Sequence, residues 1–188
     1  MDRYYIDGFL ARHAADIRGR VLEIGDRTYT RRFGADRVIR SDVLDVKDNP
    51  QATFHGQLPD VPQLPSESFD CVLLPQTLHQ IYETGATLRT LHRVLRPGGV
   101  LLATFPGITR LDQRGGPGDR WYWSFTSLSA RQLFTEVFPA GQVQIEAFGN
   151  VLAAVAALHG LAAEELLPEE LDHRDPNYEL AVAARAVR

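Results

Sequence analysis

The chain has 188 residues, of which 44% are hydrophobic and 23% charged, and its formal net charge at pH 7 is −4. This length and apolar share suffice for one packed domain, which we predict over residues 1–188, without disulfides or a structural metal. The negative net charge and scattered basic residues argue against a nucleic-acid partner or an anionic membrane surface, because both attract a concentrated positive field.

Compartment and metal content are also constrained by the sequence. Cys71 is the single cysteine, so no internal disulfide can form, and its apolar surroundings are typical of a buried, inert thiol. No stretch reaches the ~20 apolar residues of a membrane span, and the start of the chain lacks the apolar core of a signal peptide. No group of histidine, cysteine and carboxylate residues has metal-ligand spacing. We therefore expect a cytoplasmic protein without a metal. The sequence does not indicate which oligomeric state the protein has.

Strand-like and helix-like segments alternate along the chain, which is typical of a mostly parallel sheet covered by helices. The first half is predicted to contain a helix over 6–17, a strand over 21–24, a short helix over 30–33, a strand over 37–40 that stops at Ser41-Asp42, a strand over 52–55 and a proline-rich loop over 59–65. The second half is predicted to contain a strand over 69–74, a helix over 84–95, a strand over 100–105, a glycine-rich loop over 106–126, a helix over 129–138 with Ser129 as N-cap, a strand over 143–147, a helix over 150–158 with Asn150 as N-cap and a strand over 178–187.

Candidate ligand-binding residues follow four of these strands. In open α/β sheets, ligands bind beyond the carboxyl ends of the strands. Gly25 ends the first strand, where it allows a sharp turn and close approach of the backbone to a ligand. Asp42 follows the second strand, and a carboxylate there can accept both hydrogen bonds of a ribose diol. Gln57 and Leu58 follow the third strand, and His79 follows the fourth.

The glycine pattern distinguishes between nucleoside ligands. A dinucleotide site needs G-x-G-x-x-G, so that the backbone can close on a pyrophosphate. Here Arg27 and Thr28 follow Gly25, and the next glycine is Gly34. This pattern makes a nucleotide-dependent oxidoreductase a poor fit and favours a nucleoside cofactor without phosphate.

Several motifs together resemble one family. Residues 69–72 (Phe-Asp-Cys-Val) and 93–101 (Arg-Val-Leu-Arg-Pro-Gly-Gly-Val-Leu) look like the signature of small class I S-adenosylmethionine (SAM)-dependent methyltransferases of type 11. Residues 23–25 resemble the first motif of that family, Asp42 its ribose-binding acid, and Leu64-Pro65 the dipeptide before its fourth strand. The resemblance covers roughly residues 20–105, in the order and spacing of the family.

The resemblance implies an α/β fold with a Rossmann-like, doubly wound sheet of about seven strands, the last of them antiparallel, and SAM as cofactor. The cofactor-binding residues that it implies are Glu23, Gly25, Asp42, Gln57 and Leu58. Two departures stand out. Arg27 and Tyr29 occupy later glycine positions of the first motif, where they either cover or obstruct the methionine end of SAM. Gln57 replaces the usual acid near the adenine amino group, whose hydrogen bond its side-chain oxygen can still accept.

The predicted reaction is methyl transfer to a small-molecule or glycan acceptor, with a hydroxyl as the preferred nucleophile. His79 is the candidate base, because an unperturbed histidine pKa near ~6.5 suits removal of a hydroxyl proton. Tyr5, Trp121 and Trp123 are predicted to contact the acceptor. Residues 106–126 are predicted to form a mobile lid that hinges at its glycines, which are Gly107, Gly115, Gly116 and Gly118. The alternatives are that the two tryptophans only close the sheet edge, and that the chain is a non-catalytic SAM-fold module in a biosynthetic complex. The segment 121–126 resembles a subgroup from glycan and natural-product biosynthesis.

Overall fold

The computed structural model describes residues 1–47, 49–111 and 120–188. Its α-helices are α1 (Asp2–Arg12), α2 (Thr84–Val94), α3 (Ser127–Thr135), α4 (Val151–His159) and α5 (Pro168–Asp172). Its strands are β1 (Gly19–Ile24), β2 (Val38–Asp45), β3 (Phe54–His55), β4 (Phe69–Pro75), β5 (Leu95–Pro106), β6 (Val143–Phe148) and β7 (Ala181–Val187).

The strands form one seven-stranded sheet in the order β3-β2-β1-β4-β5-β7-β6. Neighbouring strands from β3 to β5 pair in parallel, whereas β7 is antiparallel to both β5 and β6. The predicted Rossmann-like sheet with an antiparallel last strand is therefore confirmed. The chain order reverses between β1 and β4, so the carboxyl ends of these two strands flank the crevice where such sheets bind ligands.

The sheet is covered on both faces. The core on one side combines sheet residues with the apolar faces of α2 and α3, and the core on the other side combines them with α1, α4 and α5. Strand β4 is buried from Cys71 to Leu74, as expected for a central parallel strand with helices on both faces. These two cores fix the strands whose ends carry the candidate site.

Several predicted boundaries differ from the structure, and three of them bear on its interpretation. The first helix begins at Asp2, whose charge suits a helix N-terminus, and ends at Arg12 before a separate 3₁₀ turn. The N-cap of α3 is Thr126, which exchanges hydrogen bonds with Ser129 in a capping box, so the predicted Ser129 N-cap is wrong. Both Thr126 and Ser129 head a suitable sequence pattern, and the earlier one starts the helix.

Strand β2 is the boundary that matters for the site. It continues to Asp45 instead of stopping at Ser41-Asp42, because Val43 and Leu44 are buried and pair with Glu23 and Ile24 of β1. The carboxyl end of β2 therefore lies five residues beyond Arg40, where the predicted strand ends.

Among the described residues, no helix has the length and apolar character needed to cross a bilayer.

Candidate functional site

Gly25 forms the turn after β1 at the crevice. Its φ is +96°, in the left-handed region that favours glycine, and its N–H donates to the carbonyl of Leu44 at 2.9 Å. A Cβ built on Gly25 would meet no described atom within 4 Å. The backbone of Gly25 thus borders open space, which fits a ligand that lies against the turn.

Glu23 supports this turn from inside the protein. Its carboxylate is buried and accepts the N–H groups of Tyr29 at 3.0 Å and Thr30 at 2.8 Å. Burial raises the pKa of Glu23, and the amide hydrogen bonds oppose that rise. Both carboxylate oxygens are therefore engaged with the segment after the turn, and Glu23 shapes the predicted cofactor site by holding its backbone.

Asp42 lies inside β2 and not at its end, so the predicted position of this residue at the end of the second strand is wrong. It pairs with Leu22 in the sheet register and is 1% exposed. Its carboxylate accepts hydrogen bonds from Arg20 Nε at 2.7 Å and from Arg40 Nε at 3.1 Å. Because these two arginines neutralise the charge of Asp42, its carboxylate can be buried within the sheet and the strand can continue beyond it.

Asp45 is the acid that ends β2, and the sequence interpretation missed it. The side-chain amide of Asn49 donates to Asp45 Oδ2 at 2.9 Å and to the carbonyl of Gly25 at 3.1 Å, so one side chain links the ends of β1 and β2. Asp45 is 20 residues after Gly25, the usual separation between turn glycine and ribose acid. Extending the strand through Val43 and Leu44 would have identified it.

The side chains of Arg27 and Tyr29, the departures from the family glycine pattern, both contact other parts of the protein. Arg27 Nη2 donates to the carbonyl of Gln51 at 3.2 Å, so this side chain reaches the connection between β2 and β3. Its Nε is buried with no partner among the described residues. Tyr29 stacks on Phe33, with ring centroids 6.3 Å apart.

Gln57 and Leu58 follow β3 as predicted, but they differ in availability. The side chain of Gln57 is exposed. Leu58 is buried in the core cluster that contains Val61 and Leu64, which leaves its main chain as the part that can meet a ligand.

His79 lies in a 3₁₀ turn just beyond β4 and is 2% exposed. Its ring packs on Trp121 with centroids 4.2 Å apart. Its Nε2 lies 3.4 Å from the side-chain nitrogen of Gln80, whereas Nδ1 is buried without a partner among the described residues. Burial lowers the pKa of His79 to about 4, so the expectation of an ordinary histidine pKa is wrong: the imidazole is neutral at pH 7.

Two further donors near His79 lack partners in the described part of the chain. Gln76 directly follows β4 with a φ of +43°, and its N–H donates to the carbonyl of Thr104 at 3.0 Å. The side-chain nitrogens Gln76 Nε2 and Trp121 Nε1 are both buried and unpaired. Buried donors are rarely left unpaired, so these two atoms are candidates for contact with a ligand. Gln76 was not predicted from the sequence, where nothing distinguishes it from a loop glutamine.

The aromatic segment packs against the end of β4. The N–H groups of Tyr122 and Trp123 donate to the carbonyl of His79 at 2.9 and 3.2 Å. Trp123 Nε1 donates to the carbonyl of Ile81 at 3.0 Å, and its ring stacks on Tyr82. Trp121 therefore carries a free donor over the end of β4, whereas the donor of Trp123 is already used within the protein.

Tyr5 lies apart from this group. Its hydroxyl donates to the carbonyl of Leu171 at 3.1 Å, and its ring stacks on Phe148. Burial raises the pKa of Tyr5 to about 12. The residue borders a cleft of about 580 Å³ beside α1, which Arg12, Arg32 and Arg174 also line.

The predicted lid falls partly outside the described residues, which omit 112–119. At its start, Gly107 is fixed: its N–H donates to the carbonyl of Leu180, and a Cβ would lie 2.1 Å from the carbonyl oxygen of Glu179. These contacts argue against Gly107 as a hinge of the predicted lid. Within the described ranges, no group of three or more histidine, cysteine and carboxylate side chains could hold a metal ion.

Comparison with protein families gives one match to this chain. A family model described as a methyltransferase domain matches residues 8–103, which include β1 to β4 and most of β5. No curated protein matches the sequence.

Solved structures share the fold at low sequence identity. A SAM-dependent methyltransferase from Archaeoglobus fulgidus is 16% identical with a TM-score of 0.61, over 99% of this chain and 94% of its own. One from Mesorhizobium loti is 16% identical with a TM-score of 0.62, over 95% of both chains. Phosphoethanolamine N-methyltransferase 2 from Haemonchus contortus, solved with SAM, is 14% identical with a TM-score of 0.58, over 91% of this chain and 49% of its own.

Proposed function

Because this chain belongs to the methyltransferase domain family and is a SAM-dependent methyltransferase, we propose that it methylates a hydroxyl oxygen of a small-molecule or glycan acceptor. The acceptor would lie beyond the carboxyl ends of β4 and β5, beneath Trp121. The sequence-based expectations of a cytoplasmic location and no nucleic-acid partner belong to the same proposal.

The cofactor is proposed to lie over the ends of β1 and β2. Gly25 offers bare backbone beside open space. The carboxylate of Asp45 accepts hydrogen bonds from Asn49 and from the N–H of Lys47, and its oxygens retain lone pairs for a ribose diol. Gln57 is exposed beyond β3, where an adenine would need it. When bound there, SAM supplies an electrophilic methyl group on a positively charged sulfonium.

The unpaired donors at the end of β4 carry the proposal for the acceptor. Gln76 Nε2 and Trp121 Nε1 are buried groups that can only donate hydrogen bonds. A neutral amine has a single lone pair, which its attack on the methyl group uses, so both donors would stay unsatisfied, at a cost of ~1–3 kcal/mol each. A hydroxyl oxygen has two lone pairs, one for the attack and one to accept a hydrogen bond from one of these donors. Their chemistry therefore favours an oxygen acceptor.

His79 takes part in this proposal as a neutral imidazole. A pKa of about 4 makes it a weak base that does not strip a hydroxyl before methyl transfer. In the tautomer that carries its hydrogen on Nε2, with the side-chain oxygen of Gln80 turned toward that nitrogen, the unpaired Nδ1 can hydrogen-bond to the acceptor hydroxyl and receive the proton as the new C–O bond makes that oxygen acidic. The main contribution of the protein is then alignment of two reactants, which can supply ~7–11 kcal/mol of the barrier.

The proposal is tested by methyl transfer from SAM carrying a deuterated methyl group. Purified protein is incubated with phenolic, enolic and sugar hydroxyl compounds and with the matched amines, and products are identified by mass spectrometry. We expect labelled O-methyl products and no labelled amines. Labelled amines alone would refute the hydroxyl acceptor while leaving methyltransferase activity intact.

A pair of matched variants examines the donors. Trp121→Phe removes an unpaired N–H, and Trp123→Phe removes one that is bound to Ile81 within the protein. Only Trp121→Phe should raise the acceptor KM or lower kcat, by about 10-fold, with SAM affinity unchanged. Equal effects of the two changes would indicate that Trp121 only closes the sheet edge.

A further inference from the structure

Helix α4 is apolar on both of its sides. Its nine residues include no Asp, Glu, Lys or Arg. The inner side packs on the core through Ala153, Ala154 and Ala156, all less than 5% exposed. A helix that is hydrophobic all round is normally buried all round, yet the structure leaves the other side of α4 uncovered.

The outer face of α4 consists of large aliphatic side chains that are about half exposed. These are Val151 at 48%, Leu152 at 44%, Val155 at 48%, Leu158 at 51% and, just past the Gly160 C-cap, Leu161 at 40%. Val151, Val155 and Leu158 have the i, i+4, i+7 spacing that aligns side chains along one stripe of a helix. The stripe is therefore continuous and not a scatter of single exposed residues.

We propose that the outer face of α4 is the interface of a symmetric dimer formed with a second copy of this chain. Five half-exposed side chains of this size present on the order of 300–400 Å² of apolar surface, already comparable to the largest patch of a typical monomer. The apolar stripes of two copies, together with the polar residues around them, would bury the ~1,000 Å² or more that a specific interface buries. A second copy always presents an equally apolar, uncharged stripe.

The length and charges of this region favour an antiparallel arrangement. A two-fold axis near Val155 places Val151 of one copy opposite Leu158 of the other, since Val155 lies close to the middle of the stripe. Exposed Glu164 follows the C-terminal end of α4. At the other end, the side chain of Asn150 donates to the carbonyls of Glu170 and His173, so Arg174 lies near the helix start. The guanidinium of Arg174 lies 3.4 Å from Glu146 Oε2 and over the ring of Phe148, but its side chain is 51% exposed. Antiparallel pairing therefore brings Glu164 of one copy to the side of the other copy where this arginine is exposed.

Sedimentation equilibrium and light scattering of the purified chain test the dimer. The parent should show the dimer mass with a Kd on the order of 1–100 μM, as expected for an interface at the lower end of the specific range. Val155→Glu should weaken dimerisation at least ~100-fold, because two carboxylates would meet near the axis and be desolvated. Unchanged circular dichroism shows that the variant is folded.

The control is Leu128→Glu, which introduces the same charge at an aliphatic residue that is 76% exposed on α3. It should remain a dimer with the Kd of the parent. Glu164→Arg should weaken the dimer several-fold.

Three outcomes would overturn the proposal. The parent could be monomeric at several hundred micromolar, or Val155→Glu could keep the dimer mass, or Leu128→Glu could dissociate as readily as Val155→Glu. A monomeric parent that cosediments with phosphatidylcholine vesicles, and loses this with Val155→Glu, would assign the same face to a lipid surface instead.

Discussion

Arg20 and Asp42 form an ion pair inside the sheet, with 2.7 Å between Arg20 Nε and Asp42 Oδ2. The carboxylate is 2% exposed and the arginine side chain 20% exposed, so water screens this pair weakly. Arg20 also lies over the ring of Phe69, with its guanidinium carbon 4.6 Å from the ring centroid. The pair, together with the ring of Phe69, therefore joins β1, β2 and β4.

Variants of Asp42 and Asp45 should have different effects, the first on stability and the second on cofactor binding. Asp42→Asn leaves Arg20 without its charged partner and should lower the free energy of unfolding by about 1–3 kcal/mol. SAM affinity of the folded variant should stay within about two-fold of the parent. Denaturant unfolding and calorimetric titration with SAM measure the two quantities.

Asp45→Asn should give the reverse pattern. Loss of charge-assisted hydrogen bonds to a ribose diol should weaken SAM binding about 10-fold or more, while unfolding changes little because the carboxylate is only partly buried. If Asp42→Asn weakened SAM binding and Asp45→Asn did not, the ribose would lie at Asp42 in the middle of β2, and the placement at Asp45 would be refuted.

Gly25 can be compared with a glycine of similar conformation elsewhere. Gly25 has φ +96° and Gly160 has φ +82°, and a Cβ at either position meets no described atom within 4 Å. Alanine at each position should therefore cost a similar ~1–2 kcal/mol of backbone strain. Only Gly25→Ala should lose SAM affinity, by at least about 10-fold, since its Cβ enters the proposed cofactor space. Equal affinities in calorimetric titration would show that the cofactor does not pass over this turn.

The topology could be predicted because local patterns and the fold agree. The apolar run in β4 and the helical spacing in α2 specify their elements without help from distant residues. The end of β2 could not be read this way, because Ser41-Asp42 has the polarity of a turn. Its place inside a strand depends on Arg20, which comes from the neighbouring strand.

The state of His79 was hidden from the sequence for the same reason. Its burial depends on Trp121, 42 residues further along the chain, whose ring covers the imidazole. A histidine after the fourth strand is visible in the sequence, but the low pKa is a property of tertiary packing. The unpaired donors of Gln76 and Trp121 are likewise visible only once the hydrogen bonds are known.

Gly107 should be a rigid anchor at the end of β5. A Cβ at Gly107 would lie 2.1 Å from the carbonyl oxygen of Glu179, whereas one at Gly141 would meet nothing within 4 Å. Gly107→Ala should lower the free energy of unfolding by about 2 kcal/mol or more, and Gly141→Ala should leave it nearly unchanged. In the parent, the amides of Gly107 and Ile108, bonded to Leu180 and Glu179, should exchange slowly with deuterium. Fast exchange of these two amides would support Gly107 as a hinge of the predicted lid.

Burial of His79 should make stability depend on pH below neutrality. Its pKa is lowered from 6.5 to about 4 in the folded protein, so between these values the unfolded chain binds a proton that the folded chain does not. Stability must therefore fall as pH falls through this window, by about 2 kcal/mol at pH 5 relative to pH 7.5, and show no His79 contribution above pH 7. Denaturant unfolding from pH 7.5 to pH 4.5, compared between the parent and His79→Gln, isolates this contribution. His159→Gln, which removes an exposed histidine at the end of α4, is the control and should follow the parent.

Turnover by the parent should likewise show no step near pH 6.5 from His79, since its imidazole is already neutral there. The opposite result has two parts: the unfolding free energies of the parent and His79→Gln would depend on pH in parallel, and turnover would show a step near pH 6.5 that His79→Gln removes. This result would make His79 an accessible base of ordinary pKa.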